Sequence, residues 1–223
     1  MHKKDFVVCV AEERHAHFAK QICDEMAASA KARGTGIAKR TPEYLHLKMT
    51  EGKAVIAFTK KGEWAGFCYI ETWGHGKFVA NSGLIVAPEH RKSGLAREIK
   101  EQIFALSRKK YPDAKIFGLT TGLAVMKINS ELGYVPVTYS ELTDDEAFWK
   151  GCQSCVNYEI LMSKERKNCL CTAMLYNPEE KKRGKRRMWE FAKQSKIYER
   201  LLRLKQWSFL RQLREESKKL KLF

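Results

Sequence analysis

KFVANSGLIVAPEHRKSGLAREIKEQIFALSRK, from Lys77 to Lys109, is the stretch whose reading decides the fold. Its apolar run from Phe78 to Val86 reads as a strand. Asn81-Ser82-Gly83 within that run marks a bulge, because glycine weakens ordinary strand pairing. A turn follows at Ala87-Pro88-Glu89-His90. Beyond Arg91-Lys92-Ser93-Gly94, the apolar residues Leu95, Ile99, Ile103 and Leu106 recur at helical spacing and define one face. The order is strand, basic glycine-containing loop, helix. The first amides of a helix have no partner inside it and carry the positive end of its dipole, so they suit an anion. Gly94 lets the backbone approach a ligand, and Arg91 and Lys92 add charge. An ordinary strand-to-helix turn with solvated basic residues has the same pattern, so the residues alone leave both readings open.

Upstream, Asp5 to Ala11 reads as a strand. Glu12 to Lys31 reads as a helix, with Phe18, Ile22, Met26 and Ala30 at steps of four. A basic loop with two glycines spans Arg33 to Arg40. Thr41-Pro42-Glu43 then opens a second helix, with Thr as N-cap and Pro at the first helical position. Ala54–Thr59 and Trp64–Ile70 read as a hairpin turning at Lys60–Glu63, followed by Glu71 and a glycine-rich loop at Trp73–Gly76. Downstream, Lys115–Thr120 reads as a strand and Leu123–Leu132 as a short helix closed by Gly133. Val135–Leu142 reads as a further strand.

Arg91-x-x-Gly94-x-Ala96, set between Leu84-Ile85-Val86 and a helix, resembles the Arg/Gln-x-x-Gly-x-Gly/Ala signature of the GNAT acyltransferases. The resemblance covers Lys53 to Val137 well and Met1 to Gly52 loosely. It implies an α+β fold: a mixed, mostly antiparallel sheet splayed at its centre, with helices on both faces. It implies acetyl-CoA or another acyl-CoA as co-substrate. The pyrophosphate would lie on Arg91, Lys92, Ser93, Gly94, Leu95 and Ala96, and the pantetheine arm along Leu84, Ile85 and Val86. The family often carries an Asn near the start of the later helix and a Tyr four residues before its glycine, the Tyr protonating the departing thiolate. Those positions are Gly122 and Asn129 here, which leaves the general acid unassigned. Asn129 keeps the capacity to hydrogen-bond the cofactor arm, and Tyr134, Ser130 and Tyr139 stand as replacement acids. Glu71 and His75 are candidate bases at a strand end. The Arg33–Arg40 loop followed by Thr-Pro-Glu is similar to acyltransferases of bacterial amino-acid biosynthesis, arginine synthesis in particular. Arg33, Lys39 and Arg40 would then hold an acceptor carboxylate, since Arg forms bidentate pairs with carboxylates.

The 223 residues suffice for one full core and an appendage. The expected division is an acyltransferase-like domain over 1–178, including a cysteine-bearing hairpin at 150–178, and a basic helical extension over 179–223. No apolar run approaches the length of a membrane span, and the N-terminus lacks a secretory pattern. Seven cysteines without such a signal point to reduced thiols in the cytoplasm. The net charge of +16 suits anionic ligands. It is uneven: Glu179 to Phe223 holds 16 Lys/Arg against 6 Asp/Glu.

Cys152-x-x-Cys155 and Cys169-x-Cys171 supply the count for a structural zinc. Tyr158–Met162 and Leu170–Tyr176, however, read as a hairpin that would hold the two pairs about 15 Å apart, at about 3.3 Å per residue. Buried or partly buried thiols are the competing reading. In the tail, Met188 to Leu213 reads as a long helix. It either packs on the body or on a second copy, giving a homodimer, or binds nucleic acid or an anionic membrane surface. Its aromatic residues fit packing at least as well as base stacking, so packing is the expectation. The function expected is acyl transfer, most simply from acetyl-CoA, to the primary amine of a small metabolite such as an amino acid. Two alternatives stay open: an inactive binding module with a nucleic-acid-binding tail, and a protein acetyltransferase.

Overall fold

The computed structural model describes residues 6–34 and 39–180. Its organising feature is a seven-stranded sheet ordered β1-β2-β3-β4-β5-β7-β6. The strands are β1 (Phe6–Val10), β2 (Ala54–Thr59), β3 (Trp64–Trp73), β4 (Phe78–Val86), β5 (Lys115–Thr120), β6 (Val135–Val137) and β7 (Thr172–Tyr176). Every neighbouring pair is antiparallel except β4 and β5. That parallel pairing holds only from Phe78↔Lys115 to Ala80↔Phe117. Beyond it β4 continues against β3 and β5 against β7, so the sheet is open between its central strands.

The expected bulge is present. Tyr69 pairs with Ser82 and Phe67 with Ile85, so Gly83 and Leu84 together oppose Cys68. Gly83 sits at φ 63°. A Cβ there would lie 2.4 Å from the Tyr69 ring and 2.8 Å from the Met26 methyl, so no other residue fits without displacing them.

Helices cover both faces. On one side α3 (Leu95–Lys110) packs Leu95, Ile99 and Ile103 onto Val55, Ala57 and Ile116. On the other, α1 (Ala19–Arg33) and α2 (Pro42–Thr50) pack Ile22, Met26, Leu45 and Met49 onto Ile56, Phe67 and Ile85. Alternate residues of β2 thus serve opposite cores, as the pleat requires. Thr41 caps α2 by accepting from the Tyr44 N–H at 3.3 Å. The chain reaches α1 through a 3₁₀ turn at Glu13–Phe18, so the helix expected from Glu12 begins only at Ala19.

Three expectations are corrected. β3 runs on to Trp73, placing Glu71 inside a strand. The strand expected over Val135–Leu142 stops at Val137, after an edge strand containing Pro136, and turns into a 3₁₀ segment at Tyr139–Glu141. The hairpin near 158–176 does not form: Tyr158–Ser163 is helical, and β7 pairs with β5 and β6 instead. Tyr158, Ile160 and Met162 alternate like a strand, but Leu161 is the residue that is buried and Ile160 and Met162 are exposed. After α4 (Leu123–Glu131), α5 (Glu146–Lys150) and α6 (Tyr158–Ser163) bury Phe148, Trp149 and Leu161 against Phe117 and Leu175. Of the basic extension expected over 179–223, residues 181–223, which carry its long helix and its dimer or nucleic-acid readings, lie outside the described residues.

Candidate active site

The opening between β4 and β5 is a cleft of about 300 Å³. Its walls include Asn81–Leu84 of β4, Phe117–Thr120 of β5, and side chains from α3, α4 and the α5–α6 segment. The bulge keeps the Gly83–Leu84 backbone out of regular pairing at the cleft wall.

The basic loop joins the open end of β4 to α3, and none of Arg91–Ala96 is among the residues that line the cleft. Gly94 is the N-cap of α3 at φ 89°, and nothing lies within 4 Å of where its Cβ would be. Among the described residues no acceptor takes the N–H of Ser93, Gly94 or Ala96. Leu95 N–H has only a long contact, 3.4 Å, to Ser93 Oγ. These amides point an array of donors outward at the positive end of a sixteen-residue helix. Arg91 does not contribute its side chain as a free charge. Its Nε donates to Val86 O at 3.2 Å, and its Nη2 reaches Glu25 and Ser29 at 2.8 Å, which ties the loop to α1. Lys92 is exposed, at φ 66°. Leu84, Ile85 and Val86 lie on β4 as expected, and only Leu84 of the three lines the cleft.

A second group of polar side chains meets the cleft from the α2 side. Arg40 lines it, and its Nε donates to the Tyr69 hydroxyl at 2.9 Å. Arg40 Nη2 is 3.6 Å from Glu71, and Lys48 Nζ is 2.9 Å from the other Glu71 oxygen. The Tyr44 hydroxyl donates to Glu71 as well, and Arg40 lies 5.2 Å from the Tyr44 ring centre. Burial pushes the Tyr44 and Tyr69 hydroxyls well up, so both stay neutral. Glu71 is therefore a buried carboxylate held by two hydrogen-bond donors, Tyr44 and Lys48, with the Arg40 guanidinium beside it. One carboxylate faces two cations, which leaves net positive charge beside the cleft. Tyr44, Lys48 and Tyr69 were absent from the sequence reading. Tyr44 and Lys48 stand one helical turn apart on α2, but their shared target on β3 is visible only in three dimensions.

The remaining predicted residues scatter. Lys39 is exposed, and the Arg33 side chain lies outside what the structure describes. His75 is exposed in the turn after β3. Ser130 is exposed on α4. Tyr134 belongs to the core: it is 2% exposed and its hydroxyl donates to Asn81 Oδ1 at 3.0 Å. Asn81 in turn donates to Ser107, which donates to Ile103 O. That closed chain leaves Tyr134 no proton to offer the cleft. Tyr139 lines the cleft but donates to Cys171 O at 2.8 Å. Asn129 lines it too, from α4.

Because the hairpin is replaced by helix, the four cysteines converge: Cys152, Cys155, Cys169 and Cys171 all border the cleft. Even so, no group of three or more Cys, His, Asp or Glu among the described residues is arranged to hold a metal ion. The zinc expectation on these four residues is corrected to a wall of half-buried thiols. Burial, reinforced by the neighbouring sulfurs, pushes Cys152 up to about 11 and Cys171 up to about 12, so both are neutral thiols at ordinary pH. Among the described residues no helix is long and apolar enough to cross a membrane.

No family model and no curated protein sequence matches the chain. Solved structures match it at low sequence identity. N-acetylglutamate synthase from Neisseria gonorrhoeae, complexed with coenzyme A and N-acetyl-glutamate, superposes at TM-score 0.56 and 15% identity over 78% of this chain. The match takes in 35% of that enzyme, so the chain spans about a third of its length. A Mycobacterium tuberculosis protein in complex with CoA superposes at 0.54 and 17% identity, covering 77% of this chain and 98% of that one. A GNAT-family acetyltransferase from Staphylococcus aureus superposes at 0.55 and 9% identity, covering 78% and 99%. With its splayed seven-stranded sheet, its β4 bulge and its glycine-capped α3, the chain has the fold of the GNAT acetyltransferases.

Proposed function

We propose that the chain is an acyl-CoA-dependent N-acyltransferase that moves acetyl from acetyl-CoA to the primary amine of a small acidic metabolite such as an amino acid. One observation carries this reading: the central strand β4, whose pairing with β5 stops at Ala80, leads into a loop where the N–H groups of Ser93, Gly94 and Ala96 have no protein acceptor among the described residues. A pyrophosphate matches that donor array, and an extended arm matches the gap. The acetyl-CoA-dependent reading also agrees with the structural neighbours solved with CoA. The enzyme's main contribution is alignment of amine and thioester. A backbone N–H at the bulge, near Leu84, holds the developing oxyanion. Arg40, positioned by Tyr69 and Glu71, binds the acceptor carboxylate. Glu71 then acts as a positioning residue, and the ammonium proton leaves through water. The net positive charge at Arg40, Lys48 and Glu71 is what favours an acidic acceptor, and the Neisseria neighbour's product, N-acetyl-glutamate, is of that class. Cytoplasmic placement belongs to the same reading.

A thermal-shift titration with acetyl-CoA, succinyl-CoA and CoA, on wild type and Gly94→Trp, tests it. Ligand at about a hundred times Kd adds about 2.7 kcal/mol. That is about 5–10 °C for a chain of this size. A shift of that order in the wild type, lost in Gly94→Trp, supports the reading and ranks the donors. No shift with any of the three overturns it. Thiol release on adding glutamate and other amino acids then identifies the acceptor.

A further inference from the structure

Lys100 sits on the buried face of α3, between the cleft and the core. It is 2% exposed and lines the cleft. Its Nζ lies 5.3 Å from the centre of the Tyr134 ring. Among the described residues it makes no hydrogen bond and no ion pair, and the thiol of Cys68 is the one titratable neighbour that perturbs it. An ammonium taken out of water without a counter-ion is costly, and a ring face replaces only part of its hydration. Burial accordingly pushes the Lys100 ammonium down from its ordinary value, which makes it a stronger acid than an exposed lysine.

A second unpartnered group faces the same cleft. Asn129 is 1% exposed, and its Oδ1 has no hydrogen-bond partner. Its Nδ2 makes only a weak contact with Met174 Sδ, at 3.8 Å. So one wall offers a buried cation and the adjacent wall a buried acceptor. A molecule that satisfies both carries an N–H donor and a centre that gains negative charge. The end of a pantetheine arm has both: an amide N–H, and two carbons further on the sulfur that becomes thiolate. Two of the acids expected from the sequence are committed elsewhere, Tyr134 to Asn81 and Tyr139 to Cys171 O.

We propose that Lys100 is the general acid of the transfer, with Asn129 Oδ1 holding the last amide N–H of the arm beside it. This rests on the acyl-CoA reading above. The acceptor nitrogen attacks the thioester carbon and the new N–C bond forms. The C–S bond breaks, its electron pair goes to sulfur, and sulfur takes a proton from Lys100 Nζ. The amine's own surplus proton leaves to solvent, and solvent returns one to Lys100. CoA departs as the neutral thiol.

The test uses CoA itself as probe, with wild type, Lys100→Met and Lys100→Arg. Met matches the volume of the lysine stem and leaves no buried charge, so a folded variant is expected. The ultraviolet thiolate band of bound CoA is followed through a pH titration. In wild type and in Lys100→Arg the bound thiol should ionise at least about one unit lower than in Lys100→Met. With acetyl-CoA and an accepted amine, Lys100→Met should lose about 10²–10⁴-fold in kcat with KM for acetyl-CoA little changed. Thioesters of more acidic thiols should recover part of that loss, which a merely structural role would not produce. Identical thiol titration in wild type and Lys100→Met overturns the proposal. So does a loss confined to succinyl-CoA, which would make Lys100 the partner of an acyl carboxylate. Absence of CoA binding to wild type overturns the acyl-CoA reading itself, and this inference with it.

Discussion

Gly83 joins the cleft to the acceptor-side cluster. Its missing side chain is what allows the Tyr69 ring to lie against β4, and Tyr69 in turn receives the Arg40 donor. Gly83→Ala forces a Cβ into the Tyr69 ring in a left-handed backbone conformation. The expected cost is about 2–4 kcal/mol, from αL strain and overpacking together. Denaturant unfolding measures it, and a midpoint unchanged from wild type would show that the bulge relaxes freely. The residue scale is also where the sequence was least informative. Gly94 and Asn129 were legible because a motif fixed their spacing. Lys100 was not, because counting apolar residues along α3 passes over a charged one. The clue was its place between Ala96 and Phe104, each one turn away and each packed against the core. Glu71 was named, but its three polar partners come from loop and helix residues 23 to 31 positions distant in sequence.

Among elements, the strand–loop–helix unit could be read in advance because hydrophobic period and turn chemistry agreed there. The segment after α4 could not. Val135–Leu142 and Tyr158–Met162 carry apolar residues in strand-like alternation, yet tertiary packing made most of the first irregular and the second helical. The cysteine wall built by that segment has a pH signature. Cys152 and Cys171 titrate near 11 and 12 in the fold, and the buried Cys68 of β3 near 11, against about 8.5 in an unfolded chain. Their folded-state values are raised, so the unfolded chain gives up these protons first. The stability from keeping the thiols neutral is complete below about pH 8.5 and falls as pH rises toward 11–12. Thermal unfolding followed from pH 7 to pH 11 should show Tm dropping above about pH 8.5, and replacing Cys152 and Cys171 by Ala should flatten that drop. A drop of the same size in the double variant would assign it to other groups.

Over the whole molecule, the fold class followed from the family resemblance and the β2–β3 hairpin from the sequence pattern, while the order of strands in the sheet came only with the fold. The convergence of Arg40 and the four cysteines on one cleft required the folded chain. The charge of +16 acts at this scale. Acyl-CoA is strongly anionic, so its affinity should fall several-fold between low and high salt as the long-range attraction is screened. Titration of CoA binding against ionic strength measures this, and a salt-independent affinity would confine recognition to the close contacts of the loop.

Three rungs of parallel pairing are all that stitch the β1–β4 half of the sheet to the β5–β7–β6 half. Past those rungs each central strand presents to the other an edge that no strand covers, the kind of edge that elsewhere invites a foreign chain. Here the two edges lie inside one molecule and wall a cleft of about 300 Å³. What fits is something thinner that still carries amides at peptide-like intervals. On the acyl-CoA reading proposed above, the unfinished sheet would be a template and the extended diamide arm its eighth, borrowed strand.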